Sequence, residues 1–413
     1  MAPAHRAIEA VWRVEAPRLI GGLIRLTRDV ARAEDLAQEA LVAALERWPE
    51  AGIPQNPGAW LMTVARNRAL DGLRRDTMVE GKHVEIARDL TEGTSVEPES
   101  IEDDVLRLML ITCHPVLSAE ARTALTLRLV AGLTVAEIAR AFLIPEATLA
   151  QRIVRAKRTL SEARVPFEVP RGAALTERLA SVLEVIYLVF NEGYAASQGD
   201  HWMRPELCQD ALRLGRSLAA LVPGEAEAHG LVALMELQAA RMRTRLDAQG
   251  RPVLLADQPR ARWDHLLIQR GLAALAKASS LRSPLGPYTL QAAIAGCHAR
   301  APTFEATDWP RIAALYDALV EATHSPVVEL NRAVAVGMAY GAEEALEIVD
   351  DLVAEGVLAN YPLLPAVRGD LLVKLGRLAE ARVAFERAAQ MTGNMQERGV
   401  LLDRARQCSE VGH

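Results

Sequence analysis

The chain has 413 residues, half of them hydrophobic and 24% charged, with a formal net charge of −6 and a mean hydropathy of +0.07. That is enough apolar content for two or three domains with buried cores, and it excludes a disordered tail. Aromatics make up only 4% of a composition crowded with Ala, Leu and Arg, which favours helix over strand.

No apolar run approaches the ~20 residues that cross a bilayer, and the N-terminal stretch lacks the apolar core of a secretory signal. Cys113, Cys208, Cys297 and Cys408 stand far apart with no CxxC pair, against a zinc ribbon or disulfide framework. The expectation is an all-α cytoplasmic protein with no membrane span. Charge is unevenly spread: residues 1–76 are net +1, 77–104 net −7, 105–165 net +5 and 166–413 net −5. Two neutral-to-basic blocks therefore flank an acidic stretch, DLTEGTSVEPESIEDD, whose Gly, Pro and scarcity of apolar residues read as a linker.

In the first block, apolar periodicity predicts helices over Ala7–Ile20 and Leu23–Thr27, divided by Gly21-Gly22, and over Ala33–Trp48, stopped by Pro49 and Gly52–Pro54. A fourth helix, Gly58–Arg75, is opened by Asn56 as N-cap and Pro57 in its first turn. With Arg66, Arg68, Arg74 and Arg75 against Asp71 alone, it is cationic.

The second block has periodic helices over Leu106–Leu117 and Ala119–Val130, ended by Gly132. Thr134 then caps VAEIARAF, with Glu137 three residues on to complete a capping box. Leu143-Ile144-Pro145 forms a turn, and EATLAQRIVRAKRTL follows as a helix. Small Ala139 before the turn permits the close crossing of a helix-turn-helix. A helix of this kind enters the major groove with its first turns at base edges and its later basic residues near phosphates.

From residue 171 onward, Ala- and Leu-rich helices alternate with Gly or Pro. Leu375-Gly376-Arg377 with Ala381, Phe385 and Ala388 has tetratricopeptide spacing, echoed 36 residues earlier by Ala345, Val349 and Leu352. Asn191-Glu192-Gly193-Tyr194 reads either as pocket lining or as a helix ending at Gly193. Arg241, Arg243 and Arg245 have the pattern of a solvated face. No P-loop, GxSxG or HExxH motif occurs, and the adjacent pairs Cys113-His114 and Cys297-His298 are poorly spaced for one metal. No enzyme, metal or cofactor is expected.

Together, AEDLAQEALVAALERWP (33–49), NPGAWLMTVARNRALDGLRR (56–75) and GLTVAEIARAFLIPEATLAQRIVRAKRTL (132–160) resemble regions 2 and 4 of bacterial RNA polymerase sigma factors. The group resembled is the extracytoplasmic-function (ECF) group of the sigma-70 family. YLVFNEGYAAS (187–197) resembles the junction to a tetratricopeptide-like C-terminal extension found in one subgroup. The resemblance implies region 2 over 1–76, an acidic linker over 77–104, a region 4 helix-turn-helix over 105–165, and a TPR-like extension over 171–413.

It further implies that Asp35, Leu36, Gln38 and Glu39 dock on the β′ clamp of core polymerase, which also offers its β subunit as a partner. Trp60, Arg66, Asn67, Arg74 and Arg75 would read and open the −10 element as single strand. Glu146, Thr148, Gln151, Arg152, Arg155 and Lys157 would meet the −35 duplex. There Gln suits adenine, Arg suits guanine, and Lys157 and Arg158 suit phosphates. The extension would replace membrane-bound control and bind a regulatory protein. The competing expectation is a helix-turn-helix regulator with a TPR-like effector domain and no polymerase contact.

Overall fold

The computed structural model describes residues 3–77, 98–142, 144–170, 172–194, 203–248, 250, 253–281, 284–393 and 395–410. Among these the protein is all-α and divides into two compact units, 1–221 and 222–413. Most of the acidic stretch (78–97), Leu143 of the turn and residues 195–197 of the junction motif lie outside the described residues.

The first unit opens with α1 (Pro3–Thr27), α2 (Val30–Ala51) and α3 (Pro57–Thr77), packed around Leu19, Leu23, Leu36, Ala40, Leu61 and Ala65. Asp29 caps α2 by accepting from the Arg32 amide at 2.8 Å, and Asn56 caps α3 by accepting from the Ala59 amide at 3.0 Å. Gly21-Gly22 does not divide α1, contrary to the periodicity-based expectation. A Cβ on Gly21 would sit 2.5 Å from the Asp104 carbonyl oxygen, so the glycine allows α4 (Pro98–Thr112) to cross α1 at backbone contact. Asp104, at the end of the acidic stretch, is accordingly helical and buried, with Arg107 beside it.

Next come α5 (Ala119–Leu129), α6 (Val135–Phe142) and α7 (Glu146–Glu162). The capping box of α6 is present: the Thr134 amide donates to Glu137 Oε2 at 2.7 Å, and the Glu137 amide donates to Thr134 Oγ1 at 3.1 Å. Ile138 and Ala139 on α6 and Leu149, Ile153, Ala156 and Leu160 on α7 are all buried, and the two helices pack together as a helix-turn-helix.

The unit is completed by α8 (Ala173–Tyr194) and α9 (Pro205–Leu221). They lie in the part assigned by sequence to the extension, yet they pack on the helix-turn-helix module. Arg122 donates to Glu184 and Ser181, Arg178 to the Leu110 carbonyl, and Arg213 to the Ala131 carbonyl at 2.7 Å. Gly193 lies in the last turn of α8 and is a point of close approach, where a Cβ would lie 2.7 Å from the Cys208 nitrogen and 2.9 Å from the Arg204 carbonyl oxygen. Gly193→Ala is therefore expected to destabilise this unit by about 1–3 kcal/mol through overpacking. Thermal unfolding of the full chain checks this through a lowered first transition.

The second unit begins with α10 (Ala226–Ala239), three short 3-10 turns, α11 (His265–Ser280), α12 (Pro287–Arg300) and α13 (Trp309–Thr323). It ends in α14 (Pro326–Ala339), α15 (Ala342–Glu355), α16 (Leu363–Lys374), α17 (Leu378–Met391) and α18 (Met395–Glu410). Ala345, Val349 and Leu352 on α15 and their 36-residue echoes Ala381, Phe385 and Ala388 on α17 are all buried in one core. The basic trio does not form a solvated face: Arg243 is exposed, but Arg245 is buried and Arg241 is half-buried against a cavity. Among the described residues no helix is long and apolar enough to cross a membrane.

Candidate nucleic-acid interface

On α2, Asp35 and Glu39 are exposed and Gln38 is half-buried, whereas Leu36 is 1% exposed and serves the core. Glu39 is within 3.9 Å of Arg68 on α3. Of these four residues, the ones left to a partner are two carboxylates and an amide, a polar set suited to a basic face.

On α3, Asn67 is exposed and Arg66 is half-buried, its Nε having no hydrogen-bond partner. Arg66 lines a cleft of about 490 Å³ with Arg18, Arg25, Asn56, Met62 and Asp104. Trp60 is half-buried and meets Trp48 edge to face at 5.2 Å, so part of its ring is engaged in packing. Arg74 and Arg75 fall on the last turns of α3, where side chains lie outside the described residues.

The helix-turn-helix presents Glu146, Thr148, Gln151 and Arg155 to solvent from α7, on the side opposite its buried stripe. Arg155 makes no hydrogen bond or ion pair with the described residues, so its fork is available to a base edge. Val154, apolar and without a sequence signal for binding, is 62% exposed between Gln151 and Arg155, where it can meet a thymine methyl. Arg152 is half-buried and lines a small cleft with Glu120 and with Leu188 and Glu192 of α8. The backbone amide and Ser118 at the start of α5, then Arg152, hold the Glu120 carboxyl below the usual carboxylate range.

Lys157 is engaged within the protein. Its Nζ donates to Glu34 Oε2 at 2.8 Å, and Arg128 Nε donates to Glu34 Oε1 at 2.9 Å. Glu34, on α2 beside Asp35, is only 6% exposed. A second tie runs from Arg13 on α1 to the other oxygen of the capping-box Glu137, at 2.7 Å. Burial opposes ionisation of Glu137, but hydrogen bonds from Thr134 and the charges of Arg13 and Arg140 outweigh it and hold the carboxyl low. Glu34 reads in sequence as one more acid on a solvated face, since its partners are 94 and 123 residues away.

Cys113 and His114 turn to different partners, the Thr126 hydroxyl and the Val116 amide, and among the described residues no cluster of His, Cys, Asp or Glu could hold a metal ion.

Residues 12–78 match sigma-70 region 2 and residues 107–160 match sigma-70 region 4, while residues 178–279 match a family of unknown function, DUF6596. An uncharacterized protein of Rhizobium meliloti is 45% identical over 387 residues, covering 92% of this chain and 91% of its own length. The ECF RNA polymerase sigma factor SigL of Mycobacterium tuberculosis is 34% identical over 144 residues, 33% of this chain and 77% of SigL. The RNA polymerase sigma factor CarQ of Myxococcus xanthus is 33% identical, over 33% of this chain and 76% of CarQ. No solved structure matches the chain. With the helix-turn-helix and the cationic α3 in the matched segments, the chain belongs to the sigma-70 family, among the ECF sigma factors that direct transcription initiation.

Proposed function

We propose that the described arrangement is a closed form of the sigma factor, in which region 4 is held on region 2 and must be released for promoter use. The observation that carries this is the Glu34 carboxylate, buried between Arg128 and Lys157. The −10 and −35 elements stand about 25 base pairs apart, ~85 Å of duplex at ~3.4 Å per base pair. Helix α7 has 17 residues and is only ~25 Å long, and its Lys157 touches α2. A chain in this arrangement cannot occupy both elements at once.

In the open form Asp35, Gln38 and Glu39 bind the β′ clamp of core polymerase, and Arg66, Asn67, Arg74 and Arg75 take the −10 strand. Thr148, Gln151 and Arg155 read the −35 duplex, and Lys157 takes a phosphate once it leaves Glu34. The extension regulates this opening. Its first hairpin, α8–α9, buttresses region 4 through Arg122–Glu184 and Arg213. Its second part, 222–413, is a tetratricopeptide-like receiver for a regulatory protein, a reading supported by the 36-residue repeat of buried positions in α15 and α17.

Arg128→Gln tests this in run-off transcription with core polymerase, because Arg128 lies on neither the clamp-facing nor the DNA-facing surface. Lower sigma concentrations are expected to saturate the variant's promoter, by roughly three- to tenfold for ~1 kcal/mol of lost closure. Equal saturation curves for variant and parent would remove the closed-form reading.

A further inference from the structure

The end of α1, the middle of α4 and the segment that follows α7 border a cleft of about 440 Å³ in the first unit. Four arginines line it: Arg25 on the last turn of α1, Arg28 just past that helix, Arg107 on α4 and Arg164 just past α7. Arg25 and Arg107 both pair with the buried Asp104 carboxylate, the first at 3.6 Å. Arg28 and Arg164 are exposed, and their side chains make no hydrogen bond or ion pair with the described residues.

The backbone at these two residues is uncommon as well. Among the described residues, three that are not glycine have positive φ, and two of them are Arg28, at 52°, and Arg164, at 47°. Each follows a helix end, where glycine would sit without steric conflict, and each instead brings a guanidinium to the same cleft. Unfavoured backbone conformations that persist in this way gather at functional sites.

The charge of the cleft selects an anion. Its four guanidiniums stand against two carboxylates, Asp104 and the exposed Glu168, which leaves net +2. Nearby Asp29 accepts from the Arg32 amide and Glu162 pairs with Arg158, and neither lines the cleft. The carbonyl ends of α1 and α7 subtract about half a charge each, so the site stays cationic. Guanidiniums free of carboxylates hold phosphate oxygens bidentately. Beside them Phe167 is half-buried, with no aromatic or cationic group in contact with its ring among the described residues, and such a face stacks a nucleobase. The volume lies within the ~300–1,000 Å³ of small-molecule sites.

We propose that this cleft binds a nucleoside diphosphate, its phosphates between Arg28 and Arg164 and its base on Phe167. The site rests on the proposed closed form, because it is assembled from α1, α4 and the segment beyond α7, and by linkage a bound nucleotide favours that form.

The test is equilibrium dialysis of the full chain against ADP and GDP, with adenosine and inorganic pyrophosphate as ligands that each lack one half. At least one nucleotide is expected to bind saturably, with Kd on the order of 10–100 μM. Adenosine should not bind measurably, and pyrophosphate should bind at least ~tenfold more weakly than the nucleotide. Arg28→Gly and Arg164→Gly each remove a guanidinium while relieving the positive φ, so the fold is kept, and each should weaken binding about tenfold. Arg387→Ala, at an exposed arginine of α17, should leave binding unchanged. The proposal is overturned by no saturable binding of either nucleotide, by adenosine or pyrophosphate binding as tightly, or by full affinity in the chain carrying both Arg28→Gly and Arg164→Gly. Acetylation of Lys157 separates this failure from that of the closed form. With no nucleotide bound, a protected Lys157 overturns the nucleotide site alone, and a reactive Lys157 overturns both.

Discussion

Glu34→Ala is expected to free region 4 from region 2 without unfolding either. In the closed form Arg128 also donates to the Leu133 carbonyl at 3.2 Å and keeps a partner when Glu34 is cut back, but the Lys157 ammonium keeps none. Removing one member of a buried ion pair costs about 3–5 kcal/mol because the other charge is left in a poor solvent. Here the chain has an exit: moving α7 off α2 returns Lys157 to water. The substitution should therefore appear as movement of α7 off α2, with α4 staying packed on α1 at Gly21, and the exposed Arg13–Glu137 tie, worth at most ~1 kcal/mol, cannot alone keep α7 in place. A net bias of ~3 kcal/mol raises the open population roughly a hundredfold.

The chain's four lysines make the readout simple. Acetylation of Lys157, followed by mass spectrometry against exposed Lys277 as internal reference, should be slow in the parent and at least ~tenfold faster in Glu34→Ala. A lowered melting temperature with Lys157 still protected would show that Glu34 is only structural cement.

The contrast between Glu34 and Thr134 shows what could be read from sequence. Thr134 and Glu137 are three residues apart, and the chemistry that makes a capping box is complete within that window. The N-cap of α3, the span of α6 and the buried stripe of α7 are likewise local patterns, and each is legible as periodicity or punctuation. Family motifs extended that reading to partners, because the motif carries tertiary and quaternary information that periodicity does not.

Glu34, Gly21 and Arg245 escaped for one shared reason. Their environments are set by residues far along the chain, and in a local window they resemble a solvated acid, a helix breaker and a solvated base. Leu36 is a different case: the family resemblance assigns it to polymerase binding, while helical spacing places it on the apolar stripe of α2, and there it is buried in packing. In sequence Gly193 is compatible with pocket lining or a helix end, and neither pattern carries the backbone of Arg204 and Cys208 that lies against it.

Arg155→Ala is expected to cost the protein its choice of −35 sequence more than its grip on DNA. Arg155 is exposed, without an internal partner, four residues on from exposed Gln151, so both project from the same side of α7. Across a major groove, a bidentate Arg–guanine or Gln–adenine pair contributes about 1–3 kcal/mol of discrimination, a ~5- to 150-fold preference at one base pair. Arg158 is a different case. It is strongly exposed and already pairs with Glu162 at 2.6 Å, a geometry suited to a diffuse phosphate contact. Arg158→Ala should weaken all duplexes alike and lower the slope of log affinity against log salt by about 1.

Duplexes selected from a randomised pool bound by the Glu34→Ala chain, in which α7 is expected to be free of α2, allow both variants to be compared with one parent. Loss of preference at one position in Arg155→Ala, with the salt slope nearly unchanged, assigns base reading to that side chain. A uniform loss in Arg155→Ala with the preference intact would make Arg155 a phosphate contact and move base reading to Gln151 and Val154.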